Sequence, residues 1–171
     1  INHWIHQNFK SGTTPYFTIS VNSILQLNKP YFGAIQMQQA KLIQLLTDFS
    51  TAWNQHDVEK LMACMHPECR FETVAGEDVH GTRIEGLDAV RQAFSNTFKS
   101  FPDAQWRNGK HWISDNAEFG ISETTFTATT ADGGWIEANM VDVFTFKDGK
   151  ILVKNAFRKN RPCLLYTSPS P

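Results

Sequence analysis

Glu123, His111 and Asn139 are the side chains in this sequence best placed to do chemistry. In the strand-like run 117–130, Glu123 shares a face with Phe119 and Ile121, because alternate residues of a strand point the same way. A carboxylate that interrupts an apolar face has its pKa raised by burial, which is how a Glu becomes a general acid or base near neutral pH. In the run 104–113, His111 shares a face with Arg107, Gly109 and Ile113. A His111–Glu123 couple on neighbouring strands is therefore the sharpest acid/base arrangement available. The alternatives are an exposed Glu123 at a sheet edge, or paired with Arg158 or Lys110, and a His111 that makes only a structural hydrogen bond. Asn139 shares a face with Val141 and Val143, where it either orients a ligand or satisfies backbone or a buried water.

Other chemistries find less support. Cys64, His66 and Cys69 lie close together, but a fourth zinc ligand is missing and Pro67 breaks the geometry, so the segment reads as a helix end packing into a strand start. No metal and no cofactor is expected, since no Ser nucleophile elbow, phosphate-cradling Gly loop or dinucleotide fingerprint occurs. Three cysteines are too few for a disulfide framework, and the chain reads as cytoplasmic, where disulfides are rare. A formal net charge of −1 argues against a nucleic-acid partner. No apolar run approaches the ~18–20 residues of a membrane span, so no membrane partner is expected.

The elements that must position these residues follow from periodicity. From Gln38 to Asn54 the apolar positions Leu42, Ile43, Leu45, Leu46, Phe49, Ala52 and Trp53 have helical spacing. Asp57 can N-cap a short second helix carrying Val58, Leu61, Met62 and Met65, which stops near His66 because Pro67 follows. Cys69–Thr73 is a short strand candidate, and a third helix runs from Leu87 to Lys99. Four strand-like runs then occupy 104–113, 117–130, 134–147 and 150–159, joined at Asp115-Asn116, Asp132-Gly133-Gly134 and Lys147-Asp148-Gly149 by hairpin-type connections. Helices first and an antiparallel meander afterwards is an α+β order, with helices on one face of a sheet.

The ends differ from the middle. Residues 1–36 hold Lys10 and Lys29 but no acid, leaving a net charge of 14 − 17 = −3 from Met37 onward. This stretch reads as upstream sequence translated in frame, with a targeting or arm segment as the alternative; Phe17 to Leu27 is too polar for a signal-peptide core. Residues 163–171 resemble one reading frame of a transposase adapter used in sequencing libraries. The expected domain is 37–162, or 126 residues, enough for one core.

Three helices followed by long antiparallel strands, with Ala52-Trp53-Asn54-Gln55-His56-Asp57, Phe71-Glu72, His80-Gly81, Ala89-Val90-Arg91, Asp142-Val143-Phe144-Thr145-Phe146 and Phe157-Arg158-Lys159, resemble a SnoaL-like member of the nuclear-transport-factor-2-like (NTF2-like) superfamily. The resemblance covers 37–162. It implies a cone: three N-terminal helices packed on a strongly curved, mainly antiparallel sheet around an apolar pocket. Family members include cyclases, isomerases, epoxide hydrolases, dehydratases and non-catalytic modules, so the fold alone does not name an activity. Laid on the ketosteroid-isomerase pattern, the Tyr falls at Phe49, the base at Thr73 and the second Asp at Asn139, and no role survives intact. The late Asp of the epoxide-hydrolase set falls at Asn155. Phe49, Trp53, Thr73, Asn139 and His80, the last near the expected pocket mouth, are the ligand-binding candidates that the resemblance implies. The expected function is a small-molecule protein acting on a hydrophobic substrate by cofactor-independent acid/base chemistry of isomerase, cyclase or hydrolase type. The alternative is a non-catalytic ligand-binding or protein-interaction module. A homodimer is expected through the outer sheet face, taken as the side of Ile136, Met140, Phe144 and Phe146.

Overall fold

In the computed structural model, residues 29–160 of the chain are described; the two expected flanking segments fall largely outside them. Helix α1 is Lys29–Asn54, α2 is Val58–Cys64 and α3 is Leu87–Ser100. The strands are β1 Met65–Glu72, β2 Arg83–Glu85, β3 Gln105–Ile113, β4 Phe119–Thr129, β5 Trp135–Lys147 and β6 Lys150–Arg158. They form one six-stranded sheet in the order β2-β1-β6-β5-β4-β3, antiparallel throughout except where β1 runs parallel to β6. This is the expected α+β order of three helices and a mainly antiparallel sheet.

Three elements differ from the expected bounds. Helix α1 begins at Lys29 and not at Gln38, so it runs unbroken through Met37. Met65 opens β1 and does not close α2: its amide still donates to the Met62 carbonyl, but its own backbone is already extended (φ −89°, ψ 146°). Pro67 has no N–H to offer a neighbouring strand, and the β1–β6 register shifts between Met65 and Arg70 as a result. Strand β2, with only three residues, is too short to leave a period in the sequence.

The core lies between the helices and one face of the sheet. Phe49 of α1 meets Phe94 of α3 edge-on at 6.0 Å and Phe144 of β5 at 6.1 Å, while Trp53 lies flat on Trp106 with centroids 4.3 Å apart. Asn54 locks the end of α1 to β3, taking the Trp106 amide at 2.7 Å and giving its own amide to the Trp106 carbonyl at 2.9 Å. The face bearing Met140 and Phe144 is therefore inside, 7% and 1% exposed, which corrects its assignment to an outer dimer surface. Alternation says which residues share a face but not which face meets the helices. The outer face is the one carrying Phe119, Ile121, Val141, Val143 and Phe157.

Candidate functional site

The two strand residues expected to form an acid/base couple are not brought together. Residues Lys110 and Glu123 are directly opposite one another, as are His111 and Ser122. Glu123 is exposed on the outer face with Phe119 and Ile121, whereas the half-buried His111 points inward and its Nδ1 is 2.8 Å from the Ser122 hydroxyl. Glu123 is thus exposed on an interior strand, directly opposite Lys110 in the ladder. Asn139 is on the outer face too, exposed beside Thr125, Glu137, Ala138 and Lys159 around a hollow of about 300 Å³. The Thr73 hydroxyl is engaged in its own loop, donating to the Ala75 carbonyl at 2.5 Å and accepting from the Thr82 amide at 2.9 Å. His80 is half-buried in the same loop, its Nδ1 3.1 Å from the Gly81 carbonyl oxygen. Phe49 and Trp53 are core residues, 0% and 4% exposed.

At the centre of that core lies an ion pair that strand reading had passed over. Lys154 of β6 donates to Asp142 Oδ1 of β5 at 2.7 Å, with the two side chains 1% and 0% exposed. Both belong to the inner face by alternation: Asp142 between Met140 and Phe144, Lys154 two places from Ala156. The Lys154 Nζ lies 4.7 Å from the Phe71 ring, 5.2 Å from Trp106 and 6.0 Å from Trp53, so the ammonium faces three aromatic surfaces as well as the carboxylate. Asp142 Oδ2, Thr124 Oγ1 and the indole N–H groups of Trp53 and Trp106 are buried and have no hydrogen-bond partner among the described residues.

Burial acts on the two partners in opposite senses. It pushes the Asp142 carboxyl upward, with Lys154 pulling it back, and pushes the Lys154 ammonium downward, with Asp142 pulling it back. Each group is thereby drawn toward the other's range. Burial also lowers the pKa of His111, favouring the neutral imidazole. Elsewhere, burial raises the thiols of Cys64, to about 11, and Cys69, so neither is a ready nucleophile. His66 accepts the Glu68 amide at 3.1 Å. Among the described residues no group of three or more His, Cys, Asp or Glu is arranged to hold a metal ion. No described helix is long and apolar enough to cross a membrane.

Helices on the inner face of a mixed sheet, closed over a few polar side chains, is the architecture of the SnoaL-like domain, and the profile of that domain matches residues 46–153. The chain belongs to the SnoaL-like family. Among solved structures it is similar to a candidate polyketide cyclase of Xanthomonas campestris (16% identity, 70% of this chain and 91% of that one, TM-score 0.63). It is also similar to SalBIII, an epoxide hydrolase/cyclase-like enzyme in pyran ring formation of the polyether salinomycin (19% identity, 70% and 92% covered, TM-score 0.61). A third is Bal32a from a soil-derived mobile gene cassette (16% identity, 71% and 91% covered, TM-score 0.64). At these identities the likeness establishes the fold, described as NTF2-like in a Burkholderia pseudomallei relative. No curated protein matches the sequence.

Proposed function

We propose that the protein is a SnoaL-like enzyme of isomerase or cyclase type, moving a proton on a hydrophobic carbonyl-bearing substrate with Asp142 and Lys154 as its acid/base pair. The observation that carries this reading is the buried pair itself: a carboxylate with one oxygen held by Lys154 and the other unpartnered, set among aromatic rings. Asp142, pushed upward by burial, is a stronger base than a surface carboxylate; Lys154, pushed downward, is a stronger acid than a surface ammonium and can donate to a developing enolate oxygen. These side chains perform such chemistry by themselves. The likeness to SalBIII supports the class. His111, joined to the pair's neighbour Ser122, remains in the proposed machinery, and Glu123 leaves it.

A second reading rests on a different observation. Asp142 and Lys154 are out of solvent, while Phe119, Ile121 and Phe157 on the outer face are 42–54% exposed, as expected of a non-catalytic partner-binding module. A thermal-shift panel of steroids, polyketide-like aromatics, terpene epoxides and small enones, followed by turnover assays on any binder, separates the two. The enzyme reading predicts a raised midpoint with one chemical class and turnover that Asp142→Asn abolishes. Absence of both binding and turnover across the panel would hand the fold to the partner-binding reading. In either case we propose that the outer face pairs with a second copy of the chain, and that the protein acts in the cytoplasm.

A further inference from the structure

The inner face carries a polar row that an apolar core does not need. His111 of β3 is directly opposite Ser122 of β4, and Ser122 is directly opposite Asp142 of β5. Opposed residues on one face have Cβ atoms only ~4.5–5.5 Å apart, so Ser122 and Asp142 are neighbours across the β4–β5 ladder, with no hydrogen bond yet joining their side chains. The Ser122 hydroxyl is already engaged, 2.8 Å from His111 Nδ1. Asp142 Oδ2 is without a partner among the described residues, while Oδ1 holds Lys154. Burial falls along the row: Asp142 is 0% and Ser122 1% exposed, whereas His111 is half-buried on β3, a terminal strand of the sheet.

We propose that His111 and Ser122 form the proton path between solvent and the Asp142–Lys154 pair. The inference rests on the acid/base role proposed for that pair and adds how it is reset between turnovers. In the outward direction, Lys154 gives a proton to Asp142, leaving a neutral amine beside a carboxyl group. The carboxyl turns about its Cβ–Cγ bond and passes the proton to Ser122 Oγ, whose own hydrogen moves to His111 Nδ1. His111 then releases its Nε2 hydrogen to water. One proton leaves, and Ser122 and the Asp142 carboxylate are regenerated with His111 now carrying its hydrogen on Nδ1. The reverse sequence recharges Lys154 and restores the Nε2–H tautomer. Neutral His111 is the form suited to this, with one ring nitrogen accepting and the other donating. Among the described residues, Lys154 is the charged side chain that holds the Asp142 carboxyl back, and His111 is shifted by burial.

The test needs no substrate. Exchange of the Lys154 ammonium hydrogens with water is measured by NMR on the 15N-labelled full chain at neutral pH. Ser122→Ala and His111→Gln each break the path at one atom, and each is expected to slow exchange at least tenfold. Ser122→Thr keeps the hydroxyl and is expected to restore the wild-type rate, which a merely structural Ser122 would not do. Exchange as fast in Ser122→Ala as in the wild type overturns the path, as does failure of the Thr variant to restore it when its spectrum shows a folded protein. Failure of the acid/base role is read separately, as turnover that survives Asp142→Asn.

Discussion

Asp142 and Lys154 determine both the chemistry and the vulnerability of this core. Taking two charges out of water is costly and their attraction returns much of that cost, so removing one partner leaves a buried charge uncompensated. Lys154→Met alone is expected to lower unfolding stability by about 3–5 kcal/mol in denaturant titrations, and Asp142→Leu added to it to recover most of the loss. If the double variant is no more stable than the single one, the two charges are not a coupled unit. His111 supplies a pH dependence. Its folded pKa lies below the ordinary ~6.5 through burial, so its contribution is fully present above that value and is lost as pH falls through the lowered one. Wild-type stability should therefore fall more steeply below pH ~6 than that of His111→Gln, and parallel curves would show the imidazole to be unperturbed. At this scale the sequence was only half legible. Alternation placed Glu123 and Asn139 correctly relative to their neighbours, and His111 with Ile113, but not His111 with Arg107. The register shift between Arg107 and Lys110 turns Arg107 to the outer face, opposite Thr125. Alternation could not say that Glu123 and Asn139 face outward, nor that a Lys between Val153 and Asn155 is a core residue, because Lys is so rarely buried unless paired.

The elements themselves were far more legible, because period and punctuation agree along most of the chain. Residues Asp148 and Gly149 both have positive φ, at 52° and 72°, as a two-residue hairpin between strands of right-handed twist requires. His56 turns out of α1 at φ 54°, and its ring then stacks on Phe98 of α3 at 4.3 Å. Where local signals were thin, the reading stopped: β2 and the loop before it are held by Thr73, Thr82 and Gly81, not by an apolar pattern. Gly81 has φ 73°, and a Cβ there would come within 2.2 Å of the Thr73 carbonyl oxygen. Gly81→Ala is expected to cost at least ~1–2 kcal/mol from the left-handed backbone alone, read as a lower denaturation midpoint, and to loosen β2. An unchanged midpoint would mean that the loop relaxes without strain. Gly120 makes a similar allowance inside β4, where the Phe146 ring lies over its bare backbone, 2.7 Å from where a Cβ would be.

For the whole molecule, the proposed self-association depends on rows that cross the outer face from strand to strand. Trp112, Ile121 and Val143 are directly opposite in turn across β3, β4 and β5, and Val141 meets Phe157 one row away. Ile121→Lys with Phe157→Lys places two charges in those rows, and analytical ultracentrifugation is expected to change from a dimer to a monomer with the fold intact. A wild-type monomer at micromolar concentration would end the proposal. The strand order has a different consequence, one for the making of the protein. β6 is the last of the described strands but sits in the interior of the sheet, bonded to β1 on one side and β5 on the other. Helices and β1 therefore leave the ribosome long before the strand that joins them to the meander exists, and until it does β1 exposes an open edge and the Asp142 carboxylate lacks its cation. Such non-local closure is slow and leaves partly built chains prone to association. Lys154 is thus both the ion-pair partner of Asp142 and among the last pieces of the described core to arrive, so an incomplete chain ending before it would hold neither the completed sheet nor the assembled ion pair.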